Sequence, residues 1–300
     1  MPAPLAIAFD AAAWSCLQSE GGRGHEWTSV SERNSRAVRI PFKPNFVSGY
    51  KYSFSMNTRG VTLPAGFAEQ IEGAASYIYE MWRQVLATDQ LRAAHVNVLL
   101  LVDPIDFENL KLHLAPDLPD VTGFYASRDG MAVARYDARD LIQSRRSAIH
   151  EISHLLTTSQ IGPTDVWLAE GLAEYFETIT LAGGTGTVSV NDRHLRSLDV
   201  ESMPALTDFV SMPVSEWKKP YSLRYYSIAW SVVYFLMDSE EGKAALGRFL
   251  REVYIRPCEP YSTAELLEKA YYGGLRQLDL DWRHWLRGQQ FRPHKLITQS

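Results

Sequence analysis

The sequence predicts an α+β protein: a small mixed sheet with a hairpin at its edge, laid over two helices and followed by a helical C-terminal lobe. Three observations carry this. Residues 96–102, VNVLLLV, form an unbroken β-favouring run that suits a strand covered on both faces. Residues 123–136, GFYASRDGMAVARY, hold two short strand-like runs about Arg128-Asp129-Gly130, a hairpin turn signal. Apolar residues recur at helical spacing over residues 66–86, 148–156 and 165–181, and almost continuously from residue 221.

In chain order, residues 1–37 read as a poorly ordered lead-in, because the segment between Ser19 and Arg36 is rich in Ser, Gly, Glu and Arg. The apolar start has no early Lys or Arg and is interrupted by Asp10, which leaves export undecided. Residues 38–182 form the α/β lobe. Its first helix, residues 66–86, aligns Phe67, Ile71, Ala75, Ile78 and Trp82. The strand at 96–102 stops at Asp103-Pro104, and the hairpin leads directly into the helix carrying AIHEISHLL, residues 148–156. After Gly162-Pro163 a second strong helix spans 165–181, with Thr164 or Asp165 as its N-cap. Residues 181–190, LAGGTGTVSV, read as a turn and a short strand; without a following Lys-Ser/Thr they make no phosphate loop. A mainly helical lobe covers 183–295, and 296–300 are a tail.

Bulk properties narrow the function classes. A chain of 300 residues fits one large domain or two lobes sharing a cleft. With 46% hydrophobic and 22% charged residues and no apolar run near the roughly 20 residues of a membrane span, a soluble protein is expected, cytoplasmic or exported. A net charge of −5 leaves no basic footprint, so nucleic acid is not an expected partner. Cys16 and Cys258 form no CxxC pair; a single disulfide between them is compatible with the sequence, and oligomeric state is not legible.

The chemistry lies in two helices. Projected at 100° per residue, Ile149, Ile152 and Leu156 share one side with Ala148 and Leu155, while His150 and His154 project from the other with Glu151 beside them. The i, i+4 spacing lets both imidazoles reach one zinc ion, and the adjoining carboxylate can contact its water. The motif is short enough to arise by chance, and the second helix adds weight. There Leu168, Leu172, Tyr175 and Phe176 share one face, and Glu170, Glu174 and Glu177 the other. An acidic stripe of this kind is commonly just solvated. Gly171, however, costs about 1 kcal/mol relative to Ala in a helix interior and suits close approach of another helix. If that helix carries the histidines, Glu170 supplies a third ligand and Glu174 accepts the outer N–H of a ligand histidine.

HEISH, followed after fifteen residues by Glu170 within WLAEGLAEYFE, resembles the gluzincin metallopeptidases of the peptidase MA-like superfamily, the thermolysin and aminopeptidase N group, and among them small bacterial members most closely. The resemblance spans residues 96–236. It implies a zincin catalytic core and one Zn2+ per chain held by His150, His154 and Glu170, with Glu151 as general base and Glu174 orienting a ligand. It implies a transition-state tyrosine in RYYSIAWSVVYFL, Tyr226 or, failing that, Tyr225, and a substrate-binding edge strand at Gly123, Phe124 and Tyr125. The Gly-x-Met-x-Asn strand of aminopeptidases is absent, and so is the continuation that marks the metzincins, since Thr157 and Gln160 stand at its glycine and histidine positions.

The expected reaction is hydrolysis of a peptide or protein substrate. Three protein ligands leave zinc a place for water, whose pKa falls toward about 7 from roughly 9 on the free ion. Glu151 takes the water's proton and returns it to the departing amine. No Gly-x-Ser-x-Gly elbow offers a serine alternative, and a deformylase would need a cysteine ligand that Cys16, in the apolar start, does not suit. The rival reading is an inactive scaffold that keeps the fold to bind a peptide or partner; retention of Glu151 favours catalysis, because a structural zinc needs no such carboxylate.

Overall fold

The structure, a computed structural model, describes residues 52–88, 91–118, 120–217, 223–257, 259–288 and 291–296. The lead-in, its boundary near residue 38, Cys16, Cys258 and most of the tail lie outside the described residues.

The main sheet is built from β1 (Tyr52–Arg59), β2 (Ala94–Leu101), β3 (Gly123–Ala126) and β4 (Met131–Arg135), in the order β1-β2-β4-β3. β1, β2 and β4 are parallel, and β3 runs antiparallel to β4 at the edge. It is thus a small mixed sheet, and the protein is α+β. The unbroken apolar run in β2 has the expected cause: Val96, Val98 and Leu100 enter one core and Leu99 and Leu101 another, on opposite faces. β1 alternates instead, burying Phe54, Met56 and Thr58.

Between β1 and β2 runs α1 (Phe67–Leu86), close to the expected residues 66–86. β2 ends just before Asp103-Pro104, as expected, and the pair also opens a helix the sequence reading did not foresee, α2 (Pro104–Leu114). Asp103 is an N-cap whose carboxylate accepts from Ile105 N at 2.8 Å, and Pro104, having no N–H to lose, opens the helix. α2 covers one face of the sheet through Phe107, which meets Phe124 of β3. The other face carries α1 and α3 (Leu141–Ile161), the latter capped by Asp140 through Gln143 N at 3.0 Å.

α4 (Val166–Phe176) ends five residues before the expected residue 181. Ile179 and Leu181 continue the helical spacing but belong to β5 (Ile179–Ala182), which pairs with β6 (Thr185–Val188). Gly183 and Gly184, at φ 56° and 74°, form the two-residue turn whose left-handed backbone matches the twist of such a hairpin. Next come α5 (Asp192–Ser197), α6 (Leu206–Val210), α7 (Val214–Trp217), α8 (Leu223–Asp238), α9 (Glu240–Ile255), α10 (Thr263–Ala270) and α11 (Gly274–Gly288). β7 (His294–Leu296) returns to pair with β6. One hydrophobic core runs from Phe54 to Leu286, and α9 packs on both α1 and α3. Among the described residues no helix is long and apolar enough to cross a membrane.

Gly171 serves a close approach, but to a different helix from the one expected. A Cβ there would stand 2.7 Å from the Ala229 carbonyl oxygen and 2.8 Å from Val233 Cγ2, so the partner is α8 and not α3. Backbone cannot give way as a side chain end can. Gly171→Ala is therefore expected to cost about 1–3 kcal/mol despite the better helix propensity of alanine, read as a lower denaturant midpoint at unchanged slope.

Candidate metal centre

α3 is buried on both sides, so its polar side faces protein and not solvent: His150, Glu151, Ser153, His154, Thr157 and Gln160 are all buried. The same holds for the acidic side of α4, where Glu170 is 0% exposed, Glu174 1% and Glu177 4%. The solvated-stripe reading is thereby overturned. Three carboxylates on one inward face carry a large desolvation penalty unless cations, donors or a metal ion compensate them.

His150, His154 and Glu170 converge. Glu170 Oε2 lies 3.4 Å from His150 Nε2 and 3.7 Å from His154 Nε2, and the two imidazole rings are 4.8 Å apart. One ligand atom from each of the three residues falls within a 4.8 Å cluster that could hold a metal ion. The donor atoms pass a second test of fit: both histidine Nε2 atoms and both Glu170 oxygens are buried with no hydrogen-bond partner. Each such atom costs about 1–3 kcal/mol if left unmatched, and a cation among them satisfies all at once.

The protonation pattern has the same origin. Burial lifts the Glu151 carboxyl to about 8, with Glu170 and Glu174 adding to the rise against the opposing charge of His150. Burial likewise brings Glu170 to about 7, against the lowering effect of His150. Burial alone would lower His150; Glu170 and Glu177 outweigh it and hold the ring well above its usual range. His154 is held well below it, by burial and then by His150. Between pH 6.5, the usual histidine value, and about 8, the folded metal-free chain therefore keeps protons on His150 and Glu151 that the unfolded chain has released. Unfolding then releases protons, and raising the pH favours it. His154 acts in the opposite sense only below pH 6.5. Chelator-treated protein should lose stability from pH 6.5 to 8, seen as a falling melting temperature. A flat or rising profile would contradict the assignment.

The other expected site residues fall as follows. Gly123 of the edge strand sits directly over Glu151: a Cβ there would stand 3.0 Å from Glu151 Cγ and 3.0 Å from Glu151 Oε1. Tyr125 is half-buried and reaches Thr158 of α3. Phe124 points to the opposite face, fully buried 5.6 Å from Phe107, so only its main chain is available at the edge. Tyr226 of α8 is buried; that burial raises its hydroxyl well above the usual tyrosine range, and Glu170, Glu174 and Glu151 raise it further. Tyr225 packs against Trp217 and Phe209, and Tyr226 meets Trp217 as well.

Glu174 does not hydrogen-bond a histidine of α3. It accepts from His194 Nε2 at 2.7 Å and meets Arg193 at 3.4 Å; burial raises its carboxyl, but the charge and hydrogen bond of His194, aided by His150 and Arg193, outweigh that and hold it at about 2. The carboxylate beside the outer nitrogen of His150 is Glu177, 3.5 Å from Nδ1. Sequence reasoning missed Asn191, His194 and Ser227, which complete this buried network: Asn191 and His194 lie at the start of α5, and Ser227 in the first turns of α8, the helix that packs against both α4 and α5.

Residues 145–258 match a family described as "Protein of unknown function (DUF1570)". That span holds His150, His154, Glu170 and Tyr226, and excludes β1 to β4. No curated protein matches the chain.

Proposed function

We propose that the chain is a zinc-dependent metallopeptidase of the gluzincin type, with a zincin-like core formed by the mixed sheet and α3 and α4. The observation that carries this reading is the buried meeting of His150, His154 and Glu170 around unpartnered donor atoms, with Glu151 between that cluster and the edge strand. An imidazole pair and one carboxylate suit zinc, and leaving a ligand position open distinguishes catalytic sites from structural ones. When bound, zinc supplies a Lewis acid for the peptide carbonyl and makes water acidic enough to ionise near pH 7.

The chain's own residues do the rest. His150, His154 and Glu170 hold the ion. A cation held beside Glu151 favours its ionised form over the protonated form of the metal-free chain, so Glu151 can accept the attacking water's proton on a carboxylate oxygen and pass it to the departing amine nitrogen. Tyr226 keeps its phenolic proton, because its hydroxyl is raised well above the usual range, and so it can donate to the developing oxyanion, a contribution of roughly 3–4 kcal/mol. Among the described residues β3 is an outer strand of the sheet, and its backbone groups can take up an extended peptide as a further strand. Gly123 leaves room there for Glu151 to turn toward the bound chain.

The test is metal content by mass spectrometry on protein purified without chelator, together with cleavage of an unfolded protein substrate. About one zinc per chain and peptide products are expected. Absence of zinc even after it is supplied sinks the proposal; bound zinc with no cleavage leaves the peptide-binding scaffold in its place.

A further inference from the structure

The three buried carboxylates of α4 have different partners, and those partners divide the work around His150. Glu174 Oε2 is taken up by His194 Nε2 at 2.7 Å and by Arg193 at 3.4 Å. His194 is itself fixed: its Nδ1 stands 2.8 Å from Ser227 Oγ, and its ring packs 5.4 Å from Trp230. Glu177 is held differently. Its Oε1 accepts from Asn191 Nδ2 at 3.0 Å, and its Oε2 lies 3.5 Å from His150 Nδ1. On its other side His150 presents Nε2 to Glu170.

An imidazole that offers Nε2 to a metal carries its proton on Nδ1, and in a buried site that N–H needs an acceptor. A carboxylate held by one donor on one oxygen keeps the second oxygen free to accept. Glu177 meets that description and brings its second oxygen to 3.5 Å from His150 Nδ1, whereas Glu174 is engaged by His194 and Arg193 and makes no such pair with a histidine of α3. We propose that Glu177, steadied by Asn191, is the carboxylate that orients His150 for metal binding, and that Glu174, engaged by His194, is not. Both Glu177 and Asn191 are positioning residues, and the inference rests on the metal-centre reading above.

The test measures zinc affinity of the full chain by competition with a chromophoric chelator, for wild type, Glu177→Gln, Asn191→Ala and Glu174→Gln. It adds nitrogen-15 spectra of the zinc-loaded protein with labelled histidine. Glu177→Gln is expected to weaken zinc binding roughly 10–100-fold and to shift the His150 Nδ1–H resonance. Asn191→Ala should act in the same direction but less, and Glu174→Gln should stay within a few-fold of wild type. A loss of general packing would lower the melting temperature without moving that one resonance. Wild-type affinity and an unmoved resonance in Glu177→Gln, or a larger loss in Glu174→Gln, overturns the inference while the metal centre stands. If Glu177→Gln fails to fold, Asn191→Ala decides by the same two readouts. A wild type that binds no zinc overturns both this inference and the proposed function.

Discussion

Glu151→Gln is expected to keep its zinc and to lose peptide hydrolysis by roughly 10²–10⁴-fold, the usual contribution of a positioned general base. The substitution keeps size and shape, which matters because Glu151 is buried and its Cγ and Oε1 sit 3.0 Å from the position a Gly123 Cβ would occupy. It changes one property: an amide cannot take a proton from water at neutral pH. Loss of turnover with unchanged metal content and unchanged melting temperature therefore isolates proton transfer from binding and from folding. Full activity in this variant would remove Glu151 from the mechanism.

The second large effect concerns Glu170. Glu170→Ala leaves two imidazoles without the carboxylate that stands 3.4 and 3.7 Å from them, and it is expected to lose most of the bound metal. In wild type, zinc at about 1,000 times its dissociation constant should stabilise the fold by about 4 kcal/mol, since it binds the folded chain selectively. In the variant that zinc-dependent rise in melting temperature should vanish. A retained rise would mean that the ion is held elsewhere, for which the second buried group, His150 with Glu174 and Glu177, is the place to look.

What could be read from the sequence was what depends on local order. α1 and α3, the apolar strand β2 and the hairpin β3–β4 each carry their signal within a dozen residues, as a period, a cap or a turn. α4 was read too long because Ile179 and Leu181 fit two periods at once, and only their pairing with β6 decides between them. β1 was missed although Phe54, Met56 and Thr58 alternate, since eight residues with polar neighbours compete poorly with longer patterns. At the site, the proximity of Glu170 to both histidines follows from helix periodicity plus one assumption about packing. Which carboxylate serves which histidine does not: Asn191 and His194 lie 14 and 20 residues beyond their partners, in a segment whose path depends on the β5–β6 turn. Gly171 shows the same limit, for its lack of a side chain announces a close neighbour without saying which.

The burial of Glu170 and Glu174 of α4, and of Glu177 at its C-cap, bears on how portable the site is. The residues that could grip a metal occupy a short continuous stretch, and a designer could copy α3 and α4 onto another scaffold as one helical pair. The copy would carry three acidic side chains into an interior with nothing to answer them, because Asn191 and His194 arrive on the following segment and Ser227 and Tyr226 on α8. The graft would have to include residues as far as α8, or replace the outer two carboxylates with neutral groups and accept a looser grip on His150. The smallest transferable unit is thus set by the neighbours that make the ligands tolerable, and it is several times longer than the motif by which the site is noticed.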